Sequence, residues 1–213
     1  STSRGLGDVY KRQPERPGSD TSTPHFVMPT KSIMFLVVLT LSAMLVEGSG
    51  IDWSVIYMRD VHQTLPIVSG LAFAIGAFSQ FLARFFADQY VDKYGAEPVA
   101  KYSIFLMLIG VFCVTFSTSP LVALIGFTFM GAGNAVIFPL AISAAAQKTD
   151  RPAAINVASL VQISFVVFLL APPLLGFVAE TFGIRVSFGL SIPFIFISWL
   201  TLGALRQTEE TKR

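Results

Sequence analysis

Long runs of apolar residues broken by short polar or charged clusters dominate the chain from Ser32 onward. Val61 to Ala83 carries no charge for 23 residues, Tyr102 to Gln147 for 46, Pro152 to Ala179 for 28 and Val186 to Leu205 for 20. A helix crosses the hydrocarbon of a bilayer in about 20 residues, so each run is long enough for at least one crossing. The 46-residue run is too long for one and is interrupted by Ser117, Thr118, Ser119 and Pro120, a polar turn ending in a proline that starts helices well. With the run that begins at Ser32, the pattern predicts an all-α membrane protein of six transmembrane helices, near 32–58, 65–84, 99–117, 120–146, 154–177 and 186–206.

Composition agrees. Of the 213 residues, 53% are hydrophobic and 13% charged, against roughly 25% charged in a soluble domain. The single cysteine, Cys113, excludes a disulfide scaffold, and a net charge of +2 gives no reason to expect nucleic acid as a partner. His25, His62 and Cys113 have no metal-ligand spacing, and no cofactor motif is present. No span carries paired acids, a serine with a base or a histidine cluster, which argues against an intramembrane enzyme.

Positive charge is retained on the cytoplasmic side of a membrane. With the first helix entering from inside, Lys31, Arg84, Lys93, Lys101, Lys148, Arg151, Arg206, Lys212 and Arg213 are cytoplasmic, and only Arg59 and Arg185 lie outside. Both termini are therefore expected in the cytoplasm, in a cell inner (plasma) membrane. Residues 1–30 are rich in Gly, Pro, Ser, Thr and mixed charge, without an apolar period, and read as a flexible segment. Within it, Ser1 to Gln13 resembles translated adapter sequence and carries no fold information. The expected organisation is that segment, a bundle over 31–206 and a short tail over 207–213.

An internal repeat is visible. Asp92, Lys93, Tyr94, Gly95 and Glu180, Thr181, Phe182, Gly183 both read acid, any residue, aromatic, glycine, 88 residues apart. The same shift carries Ser32 onto Pro120, from the start of the first helix to the start of the fourth. Three helices are an odd number, so the second copy is inverted across the membrane. Side chains that hydrogen-bond strongly repeat the period: Glu47 and Asp52 in the first span, Gln80 in the second, Asn134 in the fourth, Asn156 and Gln162 in the fifth, none in the third or sixth. Such groups are costly against lipid and face a bundle interior or a watery cavity.

This layout resembles the C-terminal six-helix half of a major facilitator superfamily transporter, over about Lys31 to Arg206. The family's loop motif between the second and third helices is matched by Asp92, Lys93 and Gly95. Asp88 replaces its leading glycine, and Ala96 and Glu97 stand where basic residues are usual. Glu47 and Gly48 with Asp52, Trp53 and Ser54, together with Gly131, Gly133 and Pro139, resemble the bacterial fucose-permease-like branch. The resemblance implies secondary active transport of a small polar solute, sugar-like or organic-acid-like, by alternating access, with a missing N-terminal half completing the solute site. The alternative is a non-transporting scaffold or receptor-like protein that keeps the fold.

Only 15 uncharged residues, Ser32 to Val46, precede Glu47, so the first helix must continue through it to cross the bilayer. At about 1.5 Å per residue, Glu47 lies slightly beyond the midplane and Asp52 near the external interface. A carboxylate at that depth loses hydration, which favours its protonated form unless a cation stands beside it, and no Lys or Arg is expected within the spans. Glu47 is therefore the candidate for coupling to protons. Subtracting 88 from Asn134 gives 46, so the two lie at nearly equal depth. Asp52, Trp53, Asn134 and Gln162 are candidates for solute contact, against the plainer roles of interfacial anchor for Trp53 and helix-to-helix bonding for Gln162. Gly48, Ser49 and Gly50 favour local unwinding. Arg84, Asp88, Asp92 and Gly95 are candidates for a cytoplasmic gate, with a solvated loop as the plainer reading. Gly131 and Gly133 suggest close helix packing, and Pro139, Pro172, Pro173 and Pro193 suggest bends.

Overall fold

The computed structural model describes residues 26–206; the expectations for residues 1–25 and for the tail fall outside the described residues. Among those described, the regular structure is helical. The first span comprises α1 (Lys31–Gly48), a π-helical turn (Ser49–Trp53) and α2 (Ser54–His62). The second is α3 (Pro66–Tyr94) and the third α4 (Ala96–Thr115). The fourth is split into α5 (Pro120–Asn134) and α6 (Ile137–Gln147), and the fifth is α7 (Ala153–Phe182). The sixth is α8 (Ile184–Gly189) and α9 (Ser191–Leu200), followed by a 3-10 turn (Leu202–Leu205). Five of the six are long and apolar enough to cross a membrane, and the sixth is a shorter apolar helix.

Two boundaries differ from expectation for identifiable reasons. The second helix does not stop at residue 84, where charges begin, but runs ten residues further to Tyr94. Charge alone does not end a helix. Gly95 does, with φ +87° and ψ 163°, a conformation that side chains bearing a Cβ rarely adopt. The sixth span is interrupted at Leu190, three residues before Pro193, whose missing N–H deprives the Gly189 carbonyl of its helical donor. By contrast α7 runs unbroken through Pro172 and Pro173.

The repeat seen in sequence has a backbone counterpart. Gly183 ends α7 with φ +92° and ψ 152°, nearly the geometry of Gly95, and each glycine is the whole linker between two helices. Packing follows the same exchange. The first span packs on the fifth and sixth, the fourth on the second and third, and the third and sixth touch one another. A shift of three helices exchanges the first span's pairings with those of the fourth and returns the contact between the third and sixth to itself.

Hydrogen bonds close both ends of the bundle. At one, the N-capping Thr30 and Ser32 donate to Asp150 Oδ2 at 2.5 and 2.7 Å, and Arg206 pairs with Glu97 at 2.6 Å. At the other, the Tyr57 hydroxyl donates to Val114 O at 2.5 Å, His62 Nε2 lies 2.8 Å from Ser117 Oγ, and Arg185 donates to Ser117 O at 2.6 Å. Tyr57, Phe127 and Phe188 meet edge to face just beneath, with ring centroids 5.1 to 5.9 Å apart. Between the ends, Gly131 and Gly133 let α5 lie directly on its neighbours. A Cβ on Gly131 would collide with Gly76 O and Ser79 Oγ, and one on Gly133 with the backbone of Met107 and Ser103. Close packing accounts for both glycines.

Candidate functional site

The site forms where two helices are interrupted at matching places. In the first span, Gly48, Ser49 and Gly50 are weak helix formers, and the backbone widens into a π turn over Ser49–Trp53 rather than unwinding outright. In the fourth, the helix breaks at Ala135 and Val136. Pro139 explains the second break: it has no N–H to return to Ala135 O, four residues back. That carbonyl is buried with its residue and needs another donor. Arg84, from α3, supplies it, with Nε 3.0 Å away.

Each break holds one residue of a polar cluster. Glu47 precedes the π turn, and Asn134 is the last residue of α5. Gln80 Nε2 donates to Glu47 Oε2 at 2.8 Å, and Asn134 Nδ2 donates to the same oxygen. Both bonds fall on one carboxyl oxygen and leave Oε1 out of the pair. Asn134 is only 6% exposed, and its Oδ1 is buried without a hydrogen-bond partner.

Glu47 and Asn134 form the wall between two cavities. One, of about 200 Å³, also holds Gln80 and is lined by Phe73, Phe127 and Met130. The other, of about 250 Å³, holds Arg84 and is lined by Met44, Phe138, Phe165 and Phe168. The expectation that no cation stands within the spans is therefore corrected. The second helix is longer than its charge pattern suggests, and Arg84 sits inside it, on the cavity that contains Glu47.

Sequence grouped other residues with Glu47 that the structure places apart. Asp52 is exposed on the π turn and lines neither cavity. Trp53 packs its six-membered ring on Gly176 of α7, and its Nε1 is buried with no partner. Gln162 accepts from Val27 N at 3.0 Å, holding the chain that leads into α1. Asn156 reaches back to Lys148 O and Asp150 Oδ1 at 3.1 and 2.9 Å, which pins the loop before α7. Asp88 and Asp92 are exposed along α3 just before Gly95. Among the described residues the ion pairs are Arg59–Asp60 and Arg206–Glu97, so Arg84, Asp88 and Asp92 are not joined by one.

Gln80 is the contact that sequence reading left off its site, although it noted the residue as a polar group in a span. The signal was the spacing: Gly76, Gln80 and Arg84 recur every four residues, which puts them on one face of α3. The first contacts Gly131, the second Glu47, and the third the carbonyl exposed by Pro139.

Comparison with known proteins matches this architecture. The chain is 30% identical over 172 residues to an uncharacterised MFS-type transporter of Yersinia pestis, covering 81% of this chain and 45% of that relative. It is 29% identical over 162 residues to an uncharacterised transporter, y4wD, of Sinorhizobium fredii, covering 76% and 43%. It is 26% identical over 154 residues to membrane protein MosC of Rhizobium meliloti, covering 72% and 38%. The chain thus spans less than half the length of these curated relatives. The family model for the Major Facilitator Superfamily matches residues 32–213. A multi-pass helical bundle with interrupted helices around a central polar cluster, matched along almost all of its described length, places this chain in the Major Facilitator Superfamily of membrane transporters.

Proposed function

We propose that the chain is the C-terminal six-helix half of a proton-coupled secondary transporter for a small solute, with Glu47 as the proton-carrying group. The observation that carries this reading is the seat of Glu47: a carboxyl at a helix break, shared between two cavities and held by two side-chain amides. A group that gains and loses a proton must be satisfied in both states. An amide offers a donor and an acceptor at similar reach, so Gln80 and Asn134 suit the ionised carboxylate with N–H and the protonated carboxyl with C=O. The buried, unpartnered Asn134 Oδ1 is available for the second arrangement.

In this reading the Lys31 end faces the cytoplasm of a cell inner membrane, and six further helices complete the solute site. Asn134 contacts the solute. Asp88 and Asp92 on α3, with Gly95 as the pivot, form the cytoplasmic gate. The test is Glu47→Gln in a complete homologous transporter reconstituted in vesicles. Glutamine keeps the amide-compatible shape and removes the proton. Uptake driven by a pH gradient should fall by about two orders of magnitude while solute exchange without a gradient persists. Gradient-driven uptake at the parent rate overturns the assignment.

A further inference from the structure

The seat of Glu47 accounts for Gln80 and Asn134 but leaves the contents of the larger cavity unexplained. That cavity contains one carboxylate, Glu47, and one guanidinium, Arg84, against the rings of Phe138, Phe165 and Phe168. Arg84 commits its Nε to Ala135 O, which fixes the plane of the guanidinium and leaves its two terminal nitrogens outside that bond. Three aromatic rings beside a fixed guanidinium are an unusual lining for a site meant for a polyhydroxylated solute, which needs many hydrogen-bonding partners. They fit a molecule with one anionic head and an apolar body.

We propose that this cavity binds the carboxylate of a small organic monoanion on the terminal nitrogens of Arg84, with its apolar body against the phenylalanines, and that this binding draws a proton onto Glu47. The inference rests on Glu47 as the proton-carrying group and adds the class of solute and the reason that solute and proton travel together.

The reason is charge balance between groups that share one cavity. With Glu47 ionised and Arg84 charged, the empty cavity is neutral. An entering carboxylate places two negative charges beside one positive charge, and two carboxylates that share a site cannot both remain ionised without cost. A proton on Glu47 restores neutrality, so each anion enters with one proton. Among the described residues no other charged group lines either cavity to relieve the imbalance. Asp52 on the π turn, Asp88, Asp92 and Lys93 on α3, and Glu180 on α7 line neither cavity. The cleft is open on one side, and its part of about 250 Å³ seats the anionic head and ring of a small solute. A water occupies about 30 Å³ in the liquid, so the space suits a molecule the size of benzoate rather than an oligosaccharide.

The test uses a complete homologous transporter in lipid nanodiscs, with benzoate as the probe and benzyl alcohol as its neutral counterpart, and records both binding and proton uptake in weak buffer. Benzoate should bind about tenfold or more tightly than the alcohol. Arg84→Gln should remove that preference and Arg84→Lys should keep part of it. Equal binding of the two probes, no binding of benzoate, or an anion preference that survives Arg84→Gln in a folded variant overturns the proposal; the comparison of probes on the parent chain needs no variant to fold. Binding of benzoate should take up about one proton per molecule, and Glu47→Gln should abolish that uptake. Arg84-dependent binding without any proton uptake overturns the coupling. Uptake that persists in Glu47→Gln, with the anion preference intact, instead defeats the assignment of Glu47 while the anion site stands.

Discussion

The first and fourth spans occupy equivalent places in the two repeats, and both are interrupted beside a polar residue at nearly the same depth. They are interrupted by different means. The first span yields through flexible residues, Gly48 to Gly50, and keeps its hydrogen bonds in a wider π turn. The fourth yields because Pro139 withholds a donor, and a side chain from another helix takes up the carbonyl left behind. One break is self-contained, and the other depends on α3. The lesson is that an inverted repeat can preserve the place of a discontinuity without preserving its cause, and the cause decides which neighbours the break is tied to.

The contrast can be broken most forcefully at the glycines. Gly131→Val drives a branched side chain into the backbone of Gly76, which cannot step aside, and should destabilise the bundle by about 3 kcal/mol or more in thermal unfolding in detergent. Gly48→Ala in the first span meets only Ala171 Cβ at an ordinary 3.6 Å and should change stability by less than about 1 kcal/mol. Equal losses would mean that the two spans are equally hemmed in.

A smaller effect sharpens the difference in cause. Pro139→Ala returns an N–H to Ala135 O and makes Arg84 redundant there, so Arg84→Gln should cost about 1 kcal/mol less in that background than in the parent chain. A coupling of zero by double-mutant cycle would sever Arg84 from the break.

The smallest effect distinguishes how the two spans begin. Thr30 caps α1 while it donates to Asp150, whereas the cap of α5 is the uncharged pair Ser119 and Pro120. The Thr30 hydroxyl, then those of Ser32 and the Asn156 amide, hold the Asp150 carboxyl down from 3.8 to about 2. A depressed carboxyl contributes stability above its unfolded value, and that contribution is lost as pH falls through the folded one. The protection factor against hydrogen exchange in the first turn of α1 should therefore fall between about pH 4 and pH 2, that in the first turn of α5 should stay constant, and Asp150→Asn should remove the response.

Much of the fold was legible because lipid imposes a simple rule: uncharged runs of crossing length become helices. The rule fails where a helix leaves that solvent. The second helix was ended on paper at residue 84 because charges began there, yet in water Asp88, Asp92 and Lys93 are ordinary helix residues, and only the backbone of Gly95 stops it. That shortening also left Arg84 at the very end of the span, counted with the charges of the cytoplasmic connection. Glu47 and Asn134 could be paired on paper because the 88-residue shift relates them. Gln162 and Asn156 stand apart from Glu47 in the structure because Val27 N and the loop at 148–151 are brought to them by the return of connecting chain, which no periodicity encodes.

Gly95 and Gly183 join their helices through a single residue each, at opposite ends of the bundle. A joint so short has no slack, so a tilt of the second span is handed to the third, and a tilt of the fifth to the sixth. The bundle thus consists of two stiff elbows bent at opposite faces of the bilayer around a central pair of rods. Whichever way either joint bends, the two helices it links must move together, at one end of the bundle for Gly95 and at the other for Gly183.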